Sequence, residues 1–340
     1  MESVRIVVDV MGGDEEPRVV LDGIAAAVSA DPGLTVVAVG PEKIVGPFAA
    51  KTDRVEPLAA PDVITMEDEP IQAVMKKRRS SVVIGLRAVK RGDADGFFSA
   101  GATGAITAAA TAYVTPFKYD DAAAGRREPI RPCLTSALPN RAGGLTVFCD
   151  MGANPDVGPV DIVRFAQMGA AYARAVCGIE NPRVGLLSNG SEDTKGSHFT
   201  KECFPLMREQ VPGFKGNCEG VDLTSGDFDV VVADGFAGNV ALKATEGAAK
   251  FLMSELKGVL MGSAKGKIAA LLIRDGLSQL KSRLSGDAKG GAVLLGLRGV
   301  VLIGHGATSV EAVRNGTLAA AEAVRGKLIE HVAASMDNII

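Results

Sequence analysis

The sequence predicts an α/β fold in three layers, an αβα sandwich with helices on both faces of one mainly parallel sheet. Three observations carry this. Short apolar runs alternate with helix-patterned segments along the whole chain, which is the layout of βαβ units. Several runs are apolar at nearly every position, as in Val4–Val10, Val184–Leu187 and Val230–Ala233, and so suit strands covered on both sides. Most of them end in glycine beside a small polar residue, and ligands of open α/β sheets lie beyond such strand ends.

Taken in order, Val4–Val10 leads into Met11-Gly12-Gly13-Asp14, then Pro17 and an amphipathic helix to about Ala30. Thr35–Val39 is the next strand, closed by Gly40-Pro41. After an acidic turn at Glu67–Pro70, Gln72–Arg91 reads as a helix bearing four adjacent cations, Lys76 to Arg79. That run is either a solvated face or a surface for an acidic partner. Asp95–Ala100 is a strand running into Ser99–Gly104 and an Ala-rich helix, with Thr103 at the N-cap position. Pro116–Pro132 is polar and reads as a surface excursion. Leu134–Leu138 and Thr146–Cys149 follow as strands, the second opening into Asp150–Asn154 and a helix over about Val160–Cys177. Val184–Leu187 ends in Ser188–Gly196. Asp229–Glu246 then gives a buried strand, a turn at Asp234–Gly238 and a helix from about Asn239. Helical patterns occupy Asn239–Met261 and Lys267–Leu284, and Val300–Ile303 is a last strand, ending in Gly304-His305-Gly306 before the helix Ser309–Val332.

Composition excludes some function classes. At 340 residues the chain can bury one large core or two moderate ones. A net charge of −3, with 4% aromatic residues and no Trp, turns against nucleic acid. The five cysteines have no CxxC pairing and read as reduced thiols of a cytosolic protein. The opening MESVRIVVDV enters a strand at once and has no signal-peptide layout. No apolar run approaches the ~20 residues that span a bilayer, so the protein reads as soluble and able to sit on a membrane surface.

Six strand ends carry glycine together with Asp, Asn, Ser, Thr, Lys or His, more than turn chemistry requires. Gly12-Gly13-Asp14 stands where a dinucleotide fold would show GxGxxG, and no Walker A lysine motif occurs. His198, His305 and His331 lack ligand spacing, so no metal and no cofactor is expected. His305 alone is placed in a cleft, or else is a loop histidine satisfied by backbone. No GxSxG elbow and no cysteine nucleophile signature appears. What remains is an anion-binding set: N–H groups at glycine turns, the hydroxyls of Ser99 and Thr103, the amide of Asn239 and the ammonium of Lys195. It suits phosphate held as nucleophile or leaving group, with catalysis by positioning and electrostatics.

The segment Phe251–Leu284 is a separate signal. Leu252, Leu256, Val259 and Leu260 share one helix face, opposite Lys250, Ser254 and Lys257. It reads as a helical hairpin protruding over 250–285 from a single domain of residues 1–340. Either it packs at a dimer interface or its apolar tip and cationic rim touch anionic lipid.

Eight motifs stand in the order and spacing of the bacterial phosphate acyltransferases of phospholipid synthesis: DVMGGDEEP, SAGATGA, IRPCLTSALP, DMGANPD, GLLSNGSEDTKG, GNCEGVDL, DGFAGNVALKATEG and GGAVLLGLRGVVLIGHG. The chain resembles that family, the PlsX family, over essentially its whole length. The resemblance implies transfer of a fatty acyl group from acyl carrier protein to inorganic phosphate. It also implies a homodimer with the fold of phosphotransacetylases and isocitrate/isopropylmalate dehydrogenases, in peripheral contact with the membrane and the downstream glycerol-3-phosphate acyltransferase. Lys195 and Asn239 match the catalytic positions. Gly12, Gly13, Asp14, Ser99, Gly101, Thr103 and Gly104 match the phosphate and thioester pocket, with Asp234 and His305 implied by position. The chain departs from the pattern at Ala102, where many relatives carry Asn, in the order around Glu192-Asp193, at Lys289, where an aromatic is common, and in the polar stretch Tyr119–Glu128.

The reading is therefore direct attack of phosphate on an acyl thioester, without an acyl-enzyme. A phosphotransacetylase using coenzyme A, on a related fold, is the alternative enzyme. A non-catalytic membrane scaffold is the alternative class. Lys76–Arg79 and Arg126-Arg127 are the expected docking points for an acidic carrier.

Overall fold

The computed structural model of the chain describes residues 2–121, 126–284, 290–306 and 308–336. The first third holds β1 (Val4–Asp9), α1 (Pro17–Ala30), β2 (Leu34–Gly40), α2 (Glu42–Ala49), β3 (Val55–Ala59), α3 (Pro70–Lys76), α4 (Ser81–Arg91), β4 (Gly96–Ser99) and α5 (Thr103–Tyr113). A small hairpin follows, β5 (Lys118–Asp121) with β6 (Arg126–Pro129), and then β7 (Cys133–Pro139), β8 (Leu145–Cys149) and α6 (Pro159–Ala175). The next stretch gives β9 (Val184–Leu187), α7 (His198–Gln210), β10 (Phe214–Cys218) and β11 (Val230–Val232). Then come α8 (Gly235–Met261), α9 (Ala264–Leu272), α10 (Arg274–Leu284), β12 (Ala292–Leu295), β13 (Val300–Ile303), α11 (Val310–Arg325) and α12 (Leu328–Ala334).

Eleven strands form one sheet in the order β10-β9-β11-β8-β7-β12-β13-β4-β1-β2-β3. The sheet has two parallel halves. β13, β4, β1, β2 and β3 run one way, and β8, β11, β9 and β10 run the other. Between them β7 and β12 pair antiparallel with each other and with their outer neighbours. The inner strands read as near-continuous apolar runs because both faces are buried, and alternate residues serve different cores. Ile6, Val8, Phe98, Val147 and Val230 face one core, with α1, α6, α7, α11 and α12 packed on it. Val7, Phe97, Phe148 and Val231 face the other, under α4 and α5. These are the three layers the sequence predicts.

Several elements differ from the sequence reading. The helix expected over Gln72–Arg91 is two helices, α3 and α4, because Ser80 accepts from Val83 N–H and starts a new helix after the turn at Lys77. The cationic run therefore lies across a break, and Lys77 is held by Asp68 at 2.5 Å and by the carbonyl of Val63. The excursion Pro116–Pro132 contains the β5–β6 hairpin, in which Arg126 pairs with Glu128 and Arg127 with Asp120. α2, β3, α7, β10 and β12 are additional, and each is short or polar enough to lack a clear period. Lys289 lies outside the described residues.

This topology leaves a gap. On the second face, α4 and α5 lie over the first half of the sheet, while the start of α8 packs near β8 through Ala237, Ala241 and Leu242. Among the described residues the β7–β12 seam between them carries no helix, and it floors a cavity.

Candidate active site

A cavity of about 780 Å3 opens over that seam. Its floor is one face of β7, Leu134, Ser136 and Leu138, continued by Ala292 and Ile303. Its walls come from strand ends of both halves: Asp14 after β1, Gly101 and Thr103 after β4, Gly304 to Gly306 after β13, Met151 and Gly152 after β8, and one stripe of α8 from Asn239 to Ala249. The antiparallel seam places the carboxyl ends of the two halves at opposite ends of β7, so the cavity runs diagonally between them.

Two buried carboxylates set these loops. Asp9, at the end of β1, accepts from Ser99 Oγ–H at 2.8 Å and from Met11 N–H at 3.1 Å. Ser99 Oγ in turn accepts from Gly101 N–H at 3.1 Å. Burial pushes the Asp9 carboxyl above its ordinary range, against the pull of these donors. Gly12 is required because a Cβ there would stand 2.6 Å from Ser99 Oγ and 2.9 Å from Gly101 N. Asp14 N–H donates to Gly306 O at 2.9 Å and ties the third loop to the first.

Asp150 does the same work for the other half. It accepts from the N–H groups of Leu134, Gly152, Ala153 and Asn154 and from Asn154 Nδ2. Burial raises its pKa and these donors oppose the rise. The loop so formed seats the start of α8. Gly235 N–H donates to Asn154 O at 2.8 Å, and a Cβ on Gly238 would stand 1.9 Å from Asp150 O. That close approach fixes Asn239 one residue on, its side chain against Gly152 and open to the cavity.

The sequence-predicted residues divide accordingly. Asp14, Gly101, Thr103, Asn239 and His305 line the cavity. Gly12 and Gly13 lie under its lip, Gly13 with φ +113° and packed against Thr308. Ser99 is fully buried and its proton is committed to Asp9, so its hydroxyl is a brace and not an anion donor. Gly104 packs on Pro70, away from the cavity. Asp234 caps α8 by accepting from Ala237 N–H at 2.8 Å, so that helix end already holds a carboxylate of its own chain. The N-terminus of α5 has no such partner. Its N-cap is Ala102, with no side-chain cap, and Gly101 and Thr103 present it to the cavity. Lys195 is exposed on the adjoining loop and does not line the cavity. Glu192 O, which accepts Lys195 N–H and Asn217 Nδ2, and Asn189, which accepts Gly196 N–H, shape that loop.

Sequence reasoning missed Asp9, Asp150 and the β7 face. A signal was there: both acids follow an apolar run and precede a Met-Gly pair, at Asp9–Gly12 and Asp150–Gly152. The β7 face had none, since Leu134 and Leu138 look like core.

The chain as a whole is similar to known proteins. A family model described as "Fatty acid synthesis protein" matches residues 4–331. Phosphate acyltransferase of Brevibacillus brevis is 38% identical over 337 residues, covering 98% of each chain. Phosphate acyltransferase of Desulforudis audaxviator is 41% identical over 336 residues, covering 98% of this chain and 97% of its own. Among solved structures, EutD phosphotransacetylase from Staphylococcus aureus covers 95% of this chain and 94% of its own, with TM-score 0.57 and 18% identity. A phosphotransacetylase from Streptococcus pyogenes covers the same shares with TM-score 0.58 and 16% identity. These two share the fold. The match from Val4 to His331, with relatives at this identity over nearly the full chain, means that the chain belongs to the fatty acid synthesis protein family.

Proposed function

We propose that the protein moves a fatty acyl group from acyl carrier protein to inorganic phosphate, giving acyl phosphate for phospholipid synthesis. The observation that carries acyl transfer to phosphate is the full-length similarity to relatives named phosphate acyltransferase. The cavity supports it with an uncapped helix end for an anion, the Asn239 amide on the other half of the lining, and an apolar floor.

A phosphate oxygen attacks the thioester carbonyl carbon, the C–S bond breaks, and the sulfur leaves with its electron pair, taking the proton that phosphate loses. The first N–H groups of α5 hold the phosphate. Asn239 donates a hydrogen bond to the oxyanion, and Lys195 offsets charge as its loop approaches the cavity. No covalent carrier is needed. No cysteine lines the cavity, burial pushes the Cys203 thiol up to about 12, and Ser136 donates to Gly291 O at 3.3 Å rather than to a base.

The carrier docks at α3 in this reading. Ile71 and Met75 are exposed there beside exposed Lys76, Arg78 and Arg79, and Met66 links the patch to the cavity. Lys77, Arg126 and Arg127 are paired within the chain and drop out of the docking set. The protein works as a homodimer on the membrane surface, where it meets the glycerol-3-phosphate acyltransferase. Supporting this are exposed Phe236 and Val240 at the start of α8, and exposed Val259, Leu271 and Leu272 farther along with Lys265, Lys267 and Arg274 around them.

The test is incubation of the purified protein with palmitoyl-carrier protein and phosphate, trapping acyl phosphate as hydroxamate. Product from the wild type, reduced at least a hundredfold in Lys195→Ala and Asn239→Ala, is expected. Turnover of acetyl-coenzyme A but not of the carrier thioester would move the assignment to a phosphotransacetylase.

A further inference from the structure

The cavity is longer than phosphate transfer requires, and its floor along that direction is largely apolar. Leu134, Ser136 and Leu138 are every second residue of β7 and share one face. From Leu134 to Leu138 this face runs about 14 Å, at roughly 3.4 Å per residue. α8 runs beside it. Asn239 sits against Gly152 at the Met151–Leu134 end, and Ala249, ten residues on, lines the same cavity about 15 Å along the helix. Leu242 faces in between them, and the Thr245 hydroxyl is turned back to Ala241 O at 2.8 Å. Pro139 and Thr224 stand at the far end, where Arg141 N–H donates to Thr224 O. The groove thus has an amide at one end, an apolar floor, and a mouth at the other, while its α8 wall carries Leu242 and Ala249 together with Lys243 and Glu246, whose charges pair with each other at 3.0 Å.

We propose that the aliphatic chain of the acyl donor lies along β7 beneath α8, its carbonyl at Asn239 and its twelfth carbon or so at Leu138 and Ala249. This rests on the acyl-transfer reading of the same cavity. An extended chain advances about 1.2 Å per bond, so 14–15 Å holds about a dozen carbons. The pantetheine arm, with two amides to satisfy, takes the polar side by Asp14 and His305 instead. Carbons beyond the twelfth leave past Pro139 toward Phe251 and Leu252, which are 63% and 64% exposed on the continuing helix. The enzyme therefore favours medium and long acyl chains, discriminates each methylene only up to about twelve, and tolerates longer chains without further gain.

The experiment measures kcat/KM for acyl phosphate formation from carrier-protein thioesters of four to sixteen carbons. In the wild type, each added methylene is expected to raise kcat/KM up to about fourfold, levelling near twelve carbons. Ala249→Phe fills the far end of the groove, ten residues from Asn239. It is expected to lose tenfold or more with twelve to sixteen carbons and to stay within twofold at four and six. Ala249→Leu, a gentler change, should shift the break by fewer carbons and serves if the Phe variant does not fold. A wild-type profile flat from four to sixteen carbons, or equal losses at every length in either variant, overturns the groove assignment while leaving acyl transfer in place. No acyl phosphate from any thioester overturns the acyl-transfer reading, and the groove with it.

Discussion

Asp9 shows how a residue that never reaches substrate can decide what does. Its carboxylate claims the Ser99 proton and leaves Ser99 Oγ to accept from Gly101 N–H, so the loop before α5 is held open-ended. Burial raises its pKa in the folded protein, which means that its ionised form opposes folding above the ordinary aspartate value of about 4. Asp9→Asn is expected to equal or exceed the wild type in thermal stability at pH 7. That difference should close as pH falls to about 4, while the KM for phosphate rises because the Ser99–Gly101 brace is disturbed. A melting temperature well below wild type at pH 7 would contradict this account. Gly238 is the second such residue. Its absent Cβ lets α8 approach Asp150 O, so Gly238→Ala is expected to lose about 3 kcal/mol by overpacking in denaturant titration, and to lower kcat by displacing Asn239.

Among elements, the two inner strands of the second half, β9 and β11, are joined by charge. Arg183, just before β9, donates Nε to Asp229 Oδ2 and Nη2 to Asp229 Oδ1, each at 2.9 Å, while Asp229 precedes β11. Hydrogen bonding from Arg183 lowers the Asp229 pKa, so here ionisation favours folding. The stability this contributes is present above about pH 4 and is lost as pH falls through the lowered value. Arg183 is partly exposed, and water screens the pair. Asp229→Asn is therefore expected to lose about 1 kcal/mol at pH 7, with the gap to wild type closing below about pH 4. Urea melts at pH 7 and pH 3 read both ends of that window, and a gap that widens in acid would contradict the sign. The Asp9 and Asp229 variants thus shift stability in opposite senses at neutral pH.

For the whole molecule, the unusual feature is how little of the segment from α8 to α10 the rest of the chain covers. α8 has 27 residues, of which only Gly235 and Gly238 are buried, and α9 has none. Val259, Leu271 and Leu272 are 75%, 72% and 80% exposed, beside Lys265, Lys267 and Arg274. An apolar surface rimmed by cations matches an anionic bilayer surface. None of the helices is long and apolar enough to cross a membrane among the described residues. Leu271→Glu with Leu272→Glu is expected to leave the melting temperature within about two degrees, since neither side chain is packed. Flotation with phosphatidylglycerol vesicles should fall at least fivefold. Unchanged flotation, together with a loss of dimer in light scattering, would assign this surface to a second copy of the chain.

The sequence by itself determined the layers and the strand ends. Strands buried on both faces must be apolar throughout, and turns that bring backbone close to a ligand must be small, so Val230–Val232 and Gly12-Gly13 are legible locally. It also singled out Asn239 as a candidate, although the helix expected to begin there begins at Gly235. Tertiary structure alone decided which helix end is free. Asp234 and Ala102 are both N-caps, and only the fold shows one capped by its own carboxylate and the other facing a cavity. It alone reversed the two halves of the sheet about β7 and β12, because strand direction depends on pairing across long separations, such as Val293 with Thr135. The same pairing turned Leu138, beside the still-buried Leu134, toward the floor of a groove, since burial belongs to what packs on a strand and not to the strand's own sequence.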